Sequence, residues 1–165
     1  MKKVLIASLA LASCSPAYAV DTPITGNVQT RCLITTDTNG VFGNPLPSKL
    51  STLAADGGVV PVVRYDVTLA DSYLAKVTTP TSFSSNPVLT DAVTWTGSTA
   101  VTNTTDVGMA GYEAAKVVYG STTQYDLTVA GSTWFASEAS AVYGVNKSFP
   151  GGSYTAIILA ECIAK

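Results

Sequence analysis

The chain has 165 residues, with 9 basic and 11 acidic side chains, a formal net charge of −2 and no histidine. This length suits one domain with a sizeable core, and the acidic balance argues against nucleic acid and anionic lipid as partners. The lack of histidine removes the commonest general base and the commonest metal ligand, which disfavours an enzyme or a metal site.

The N-terminus has the three parts of a cleavable signal peptide. Residues 1–3 (MKK) are positively charged, residues 4–13 form an apolar run too short to span a bilayer, and residues 17–19 (AYA) offer small side chains to signal peptidase. We therefore expect export, removal of residues 1–19, and a mature chain that begins at Val20. Loss of the two lysines leaves 7 basic and 11 acidic residues, a net charge of −4.

A second export route stays open. Residues 11–14 (LASC) have the form of a lipoprotein box, in which Cys14 is acylated and becomes the mature N-terminus. In that case lipid tethers the same domain to a membrane.

Residues 20–31 alternate strictly and predict a strand that buries one face. The apolar or small row is Thr22, Ile24, Gly26, Val28 and Thr30. Two interpretations stay open at this point: the first strand of the chain's own sandwich, or a donor strand inserted into the groove of a neighbouring copy.

Two cysteines, Cys32 and Cys162, lie in the exported part at opposite ends of the domain. An even pair in an oxidising compartment predicts one disulfide, with two free buried thiols as the alternative. The bridge closes nearly the whole chain into a loop, which the loop-entropy account values at on the order of 4–5 kcal/mol.

Runs with a period of two predict strands along the rest of the chain. In residues 62–69 one row is Val63, Tyr65, Val67 and Leu69, and in 124–129 it is Tyr125, Leu127 and Val129. Further strands are predicted over 74–79, 92–96 and 116–119. The apolar run 154–163 predicts a central strand that is covered on both faces.

Turn residues separate these runs. The turn signals are Asn39-Gly40, Gly57-Gly58, Thr96-Gly97, Gly120-Ser121 and Pro150-Gly151-Gly152. Residues 80–90 are expected to form a surface connection, and residues 137–141 a single helical turn.

No sequence motif for catalysis, phosphate binding or zinc binding is found. The aspartates occur singly and suit solvated strand and turn positions better than a paired acid–base site; they are Asp56, Asp66, Asp71, Asp91, Asp106 and Asp126. Five aromatic residues fit a core better than a sugar site: Trp95, Trp134, Tyr112, Tyr119 and Tyr125. We therefore expect no enzyme activity, no metal and no cofactor.

Four segments resemble pilins of the chaperone–usher pathway, and more narrowly the alternate-chaperone class that includes the colonisation-factor fimbriae. They are the alternating arm 22–30, NPLPSKLSTL at 44–53, WTG at 95–97 leading into GYEAAKVVYG at 111–120, and FPGGSYTAIILAEC at 149–162. The two cysteines depart from this class, because colonisation-factor pilins lack a disulfide.

The resemblance implies an all-β, incomplete immunoglobulin-like sandwich that a donor strand completes. The expected organisation is a signal peptide (1–19), a donor-strand arm (20–31) and a pilin domain (32–165). The implied partners are copies of the chain itself, a periplasmic chaperone, an outer-membrane usher and a host receptor or surface, in a fimbrium that supports adhesion or biofilm formation. Two alternatives are a self-contained binding module, such as a lipoprotein, and a small secreted hydrolase.

Overall fold

The computed structural model describes residues 25, 31–105 and 111–165, which form two antiparallel β-sheets and very little helix. The strands are β1 (Cys32–Thr38), β2 (Gly43–Leu46), β3 (Lys49–Ser51), β4 (Val62–Val67), β5 (Tyr73–Thr78), β6 (Val93–Thr104), β7 (Val117–Tyr119), β8 (Thr122–Leu127), β9 (Gly131–Tyr143) and β10 (Leu159–Ala164). A 3-10 turn at Ala54–Asp56 and a short helix, α1 (Tyr112–Ala115), complete the elements. The all-β prediction is confirmed.

The larger sheet is organised around β9. On one side β4 pairs with the first half of β9 and β3 with its second half, and β6 pairs along the other side. β1 continues this sheet beyond β4, and β2 continues it beyond β3. The smaller sheet has the order β10-β5-β8-β7.

Inward-facing rows from both sheets meet in a core rich in aromatic rings. Tyr65 on β4, Tyr125 on β8 and Phe135 on β9 are almost completely buried. The Phe135 ring centroid lies 5.3 Å from that of Tyr65 and 4.5 Å from that of Tyr125, distances typical of favourable aromatic pairs. The predicted inward rows on β4 and β8 are confirmed, except that Leu69 lies beyond the end of β4 and is exposed.

The helical turn predicted for residues 137–141 is wrong. These residues lie inside β9, where Ser137, Ala139 and Ala141 face the core and are buried. Small inward side chains give a weak alternating signal in the sequence. Hydrogen bonding to strands on both sides of β9 nevertheless decides the local structure.

The turn predicted at Thr96-Gly97 is also wrong, because β6 runs through it without interruption. A Cβ atom on Gly97 would lie 2.7 Å from the side chain of Thr79 and 2.9 Å from the carbonyl oxygen of Glu138. The glycine at position 97 therefore allows Thr79, which follows β5 of the smaller sheet, to lie close to β6.

Other turn predictions have mixed outcomes. Gly120 and Ser121 form the turn between the paired strands β7 and β8, as expected, and Gly120 has a φ of 58°. Asn39-Gly40 does not form a hairpin, because β1 and β2 do not pair with each other. Residues 80–90 form the expected connection, held by a bridge between Ser85 and Thr155.

The strand predicted over 154–163 is shorter than expected, and the prediction that both of its faces are covered is wrong. Only Leu159–Ala164 forms a strand, and within the described residues it pairs with β5 alone. The outward-facing Leu159 and Ile163 are 52% and 40% exposed. An apolar run looks the same in a sequence whether neighbours cover it or leave it open.

Candidate functional site: an open groove between two edge strands

Two edge strands, one from each sheet, lie side by side along one flank of the sandwich. β1 ends the larger sheet and β10 ends the smaller one. Among residues 31–105 and 111–165, no strand joins β1 to β10 by a hydrogen-bond ladder. We call the opening between them the β1–β10 groove.

The predicted disulfide is present and closes one end of this groove. Cys32 opens β1, Cys162 lies within β10, and their Cα atoms are 6.4 Å apart. The bridge therefore links the two sheets covalently at their edges.

Apolar side chains from both edges form the floor of the groove. Ile34 on β1, Ile158 just before β10 and Ala160 on β10 pack against the core while remaining only partly buried. Beneath them Tyr65 reaches across from β4. Its hydroxyl donates to the carbonyl oxygens of Lys76 (3.1 Å) and Glu161 (3.2 Å), and burial raises its pKa above the ordinary value. The buried hydroxyl of Tyr65 therefore has hydrogen-bond partners beneath the floor of the groove.

A cavity of about 200 Å³ opens in the groove on the side away from the disulfide. Threonines and loop residues form part of its lining, and apolar side chains form the remainder. The lining residues are Thr36, Thr38, Asn39, Gly40, Phe42, Thr52, Pro61, Val63, Pro80, Ala139, Ala156 and Ile158. A space of this size and character fits apolar side chains from an added segment.

The outer edge of β10 presents backbone groups as well as apolar surface. The N–H of Lys165 donates to the carbonyl of Ser72 across the ladder (3.0 Å). Because bonding alternates in an antiparallel pair, Leu159, Glu161 and Ile163 bond to β5. The N–H and C=O groups of the residues between them point away from β5, where a further strand can bond to them.

The predicted donor-strand residues lie outside the described residues: Thr22, Ile24, Gly26, Val28 and Thr30. The same holds for Cys14, the signal peptide and Asp106. Arg31 is described, and it continues the line of β1. Its N–H donates to Thr68 Oγ1 (3.0 Å), and its carbonyl accepts the N–H of Thr68 (3.1 Å).

The aspartates of the described residues are held by cations or by other polar groups. Asp56 bonds Lys49 at 2.7 Å, Asp66 bonds Arg64 at 3.0 Å, Asp91 bonds Lys147 at 3.2 Å, and Asp71 and Asp126 both contact Lys165. Hydrogen bonds from Lys49 and Ser51 lower the pKa of Asp56. Within the described parts of the chain, no three metal-ligating side chains cluster together.

The five aromatic residues considered for a sugar site are dispersed. Tyr112 and Tyr125 are buried, and Tyr119 is exposed on β7. Trp134 lies on the outer face of the larger sheet, where its Nε1 donates to Asp37 (2.7 Å) and the Arg64 guanidinium lies 5.8 Å from its ring. Trp95 packs against Phe83, with 4.7 Å between ring centroids. The rings therefore do not form a common surface.

A polar network that the sequence reading missed covers the free edge of β6. The Glu113 carboxylate accepts the N–H of Val101 (3.0 Å) and contacts Lys116. The Tyr125 hydroxyl donates to the carbonyl of Thr99 (2.8 Å). The segment GYEAAK at 111–116 carries this network, and nothing in its pattern distinguishes it from an ordinary exposed turn of helix.

Comparison with protein-family models, with curated proteins and with solved structures finds no match to this chain. No helix among the described residues has the length and apolar character needed to cross a membrane.

Proposed function

We propose that this chain is a structural subunit of a bacterial surface fibre, in which residues 20–30 of one copy fill the β1–β10 groove of the next. The observation that carries the proposal is the groove itself, with an apolar floor between two edge strands from different sheets. Such edges attract a further strand, since it supplies the missing hydrogen bonds and covers the apolar row.

The strand order supports this interpretation. An immunoglobulin-type sandwich has a sheet of order A-B-E-D facing a sheet that contains C, F and G. β1-β4-β9-β6 follows the first order, and β10-β5 corresponds to F and C. The position of strand G, at the free edge of β10, is the groove. No strand among the described residues occupies it.

The N-terminal arm has the chemistry that this position needs. Its inward row would place Ile24 and Val28 over the apolar floor, with Gly26 between them. At about 3.3 Å per residue, the nine residues from Thr22 to Thr30 reach roughly 30 Å, enough to run past β10 and the apolar residues before it.

The geometry at Arg31 favours insertion into another copy. Because Arg31 continues the line of β1, entry of residues 20–30 into the groove of their own copy requires the chain to reverse direction immediately before Arg31. A head-to-tail exchange needs no such reversal, and it does not close on itself, so it produces a fibre.

Export and assembly follow from the same proposal. A signal peptide at 1–19 takes the chain to the periplasm, where a chaperone protects the groove and an outer-membrane usher replaces it with the arm of the next copy. The product is a fimbrium at the cell surface that serves adhesion or biofilm formation. No cofactor or nucleic acid takes part.

Donor-strand exchange is tested by SDS gels without boiling, on cells that express the wild type, Ile24→Asp, Val28→Asp or the matched outward-row control Gln29→Ala. A charge on the inward row would be buried without a partner, at a cost of several kcal/mol. We expect heat-labile ladders for the wild type and Gln29→Ala only, with folded monomer retained in all four. Absence of ladders in the wild type overturns the proposal.

Unfolding of the monomer by Ile24→Asp also contradicts it, because the arm is then an internal strand. That result favours a self-contained module, and detection of a lipid on Cys14 by mass spectrometry would identify that module as a lipoprotein.

A further inference from the structure

The sandwich has two distinct ends. At the disulfide end lie Arg31, the loop 68–72, residues 128–130 and Lys165, because β4, β9 and β10 all begin or finish there. At the opposite end, which we call the aromatic end, lie the loops 80–92 and 144–154. The part that the aromatic end takes in assembly rests on the proposed function.

The point at which the arm leaves the domain determines at which end of a copy each of its two neighbours in the fibre can lie. Arg31 is bonded to Thr68 at the disulfide end, so an arm donated to another copy would leave the domain at that end. The copy that receives the arm therefore occupies the disulfide end. The copy that donates into the groove has to approach from the aromatic end, because two neighbours cannot share one end in a head-to-tail fibre.

The link between arm and domain brings the two bodies into contact. Only Arg31 separates Thr30 from Cys32, the first residue of β1. One residue spans about 3.3 Å, so the disulfide end of the donor abuts the mouth of the acceptor groove.

The aromatic end carries the most exposed large apolar side chains of the described residues. Val88 is 86% exposed and Val145 is 84% exposed. They belong to two loops that are tied together, since Lys147 forms an ion pair with Asp91 (3.2 Å) and the N–H of Gly144 donates to the carbonyl of Ala92 (3.0 Å).

A ring cluster supports these loops from beneath. The Phe83 centroid lies 4.7 Å from Trp95, 5.0 Å from Tyr154 and 5.9 Å from Phe149. The Tyr143 hydroxyl accepts the N–H of Thr90 (3.0 Å) and Asp91 (3.2 Å). Exposed apolar side chains on loops held by ring contacts, hydrogen bonds and an ion pair are suited to a contact with another protein surface.

We propose that the aromatic end docks on the disulfide end of a second copy, with Val88 and Val145 as its apolar contacts. The disulfide end offers apolar partners, since Leu33 is 50% exposed and Leu69 is 38% exposed. The interface is heterologous and forms together with strand insertion.

The test uses photo-crosslinking within assembled fibres. A benzophenone amino acid is incorporated at position 145, at position 88 or at position 118. Position 118 is the control, because Val118 is 56% exposed on the edge strand β7, which lies at the opposite edge of the smaller sheet from β10. Fibres are mixed from light and isotopically heavy subunits, irradiated, and the cross-linked peptides are sequenced.

We expect cross-links between copies from positions 88 and 145 into residues 31–33, 68–72 or 128–131 of the neighbour, and few from position 118. Cross-links from 88 and 145 into the aromatic end of the neighbour, or none above the level at 118, overturn this inference while fibres still form. Failure of the wild type to form any fibre overturns both the inference and the proposed function.

Discussion

The carboxylate of Glu113 accepts the backbone N–H of Val101 on the free edge of β6, at 3.0 Å. Glu113 lies on α1, and Lys116 beyond it donates to the carbonyl of Thr99 (3.3 Å). Side chains thus form hydrogen bonds with both a backbone N–H, that of Val101, and a backbone carbonyl, that of Thr99, on this edge. Side chains therefore cover this edge of β6, whereas no strand among residues 31–105 and 111–165 pairs with the outer edges of β1 and β10.

We expect Glu113→Gln to destabilise the fold by about 1 kcal/mol at neutral pH, less than is typical of a hydrogen bond to a charged group, because solvent screens the partly exposed carboxylate. Burial alone would raise the pKa of Glu113, but hydrogen bonds from Lys116, Val101 and Tyr125 outweigh it and hold the pKa below its usual value of 4.5.

The sign of the pH dependence follows from that lowered pKa. The stabilisation is complete above the unfolded-state pKa and disappears as the pH falls through the lower folded-state pKa. Thermal melts from pH 7 to pH 3 should therefore show the difference between wild type and Glu113→Gln shrinking in acid. Glu138→Gln, at an exposed position, serves as the control. A difference that is constant with pH contradicts this assignment.

Gly97→Ala should destabilise the domain by about 1–3 kcal/mol, because the new methyl group overpacks the contact with Thr79 and the carbonyl of Glu138. Gly151→Ala is the matched control, since a Cβ there meets nothing within 4 Å. Urea denaturation measures both. Equal midpoints for the two variants would show that the sheets can move apart at Gly97 without cost.

Removal of the disulfide by Cys32→Ser together with Cys162→Ser should lower the free energy of unfolding by on the order of 4–5 kcal/mol. Reduced wild type should match the double variant in urea. Intact mass before and after reduction should differ by two hydrogens. An unfolding midpoint that does not respond to reductant contradicts the prediction.

Ala156→Trp should fill the cavity of the groove, which Ala156 lines, and leave the arm of the same copy intact. If arms are exchanged as proposed, this variant donates an arm but cannot accept one, whereas Ile24→Asp accepts an arm but cannot donate its own. Coexpression of the two variants should give a heterodimer on an unboiled gel and no oligomer larger than a dimer.

The matched control for this experiment is Ala114→Trp, an exposed position on α1, which should polymerise like the wild type. Long ladders from Ala156→Trp alone would show that the cavity does not receive the arm.

The strands with strong alternation were predictable because their buried rows carry large side chains. Tyr65 and Val67 on β4, and Tyr125 and Leu127 on β8, show period two without ambiguity. The disulfide was predictable from the cysteine count and the expected compartment alone.

The missed features depend on contacts between distant segments. Small residues such as Ser137 and Ala139 leave no apolar period in β9, and Gly97 suggests a turn unless the approach of Thr79 is known. The run before Cys162 could not reveal that β10 pairs with β5 alone among the described residues, because pairing is a property of the whole sheet. The cap at Glu113 depends on the position of β6, which the local sequence does not specify.

The bridge between Cys32 and Cys162 also determines how a fibre would respond to tension. In the fibre proposed above, tension would enter a subunit at Arg31, beside Cys32, and leave through the donor strand on β10, which holds Cys162. The covalent link carries that load directly and bypasses the chain between the two cysteines, which are 130 residues apart. In an oxidised fibre, about 430 Å of extended chain per subunit thus cannot be pulled out. Such a fibre yields by losing a donor strand, whereas a reduced fibre lengthens by unravelling its domains.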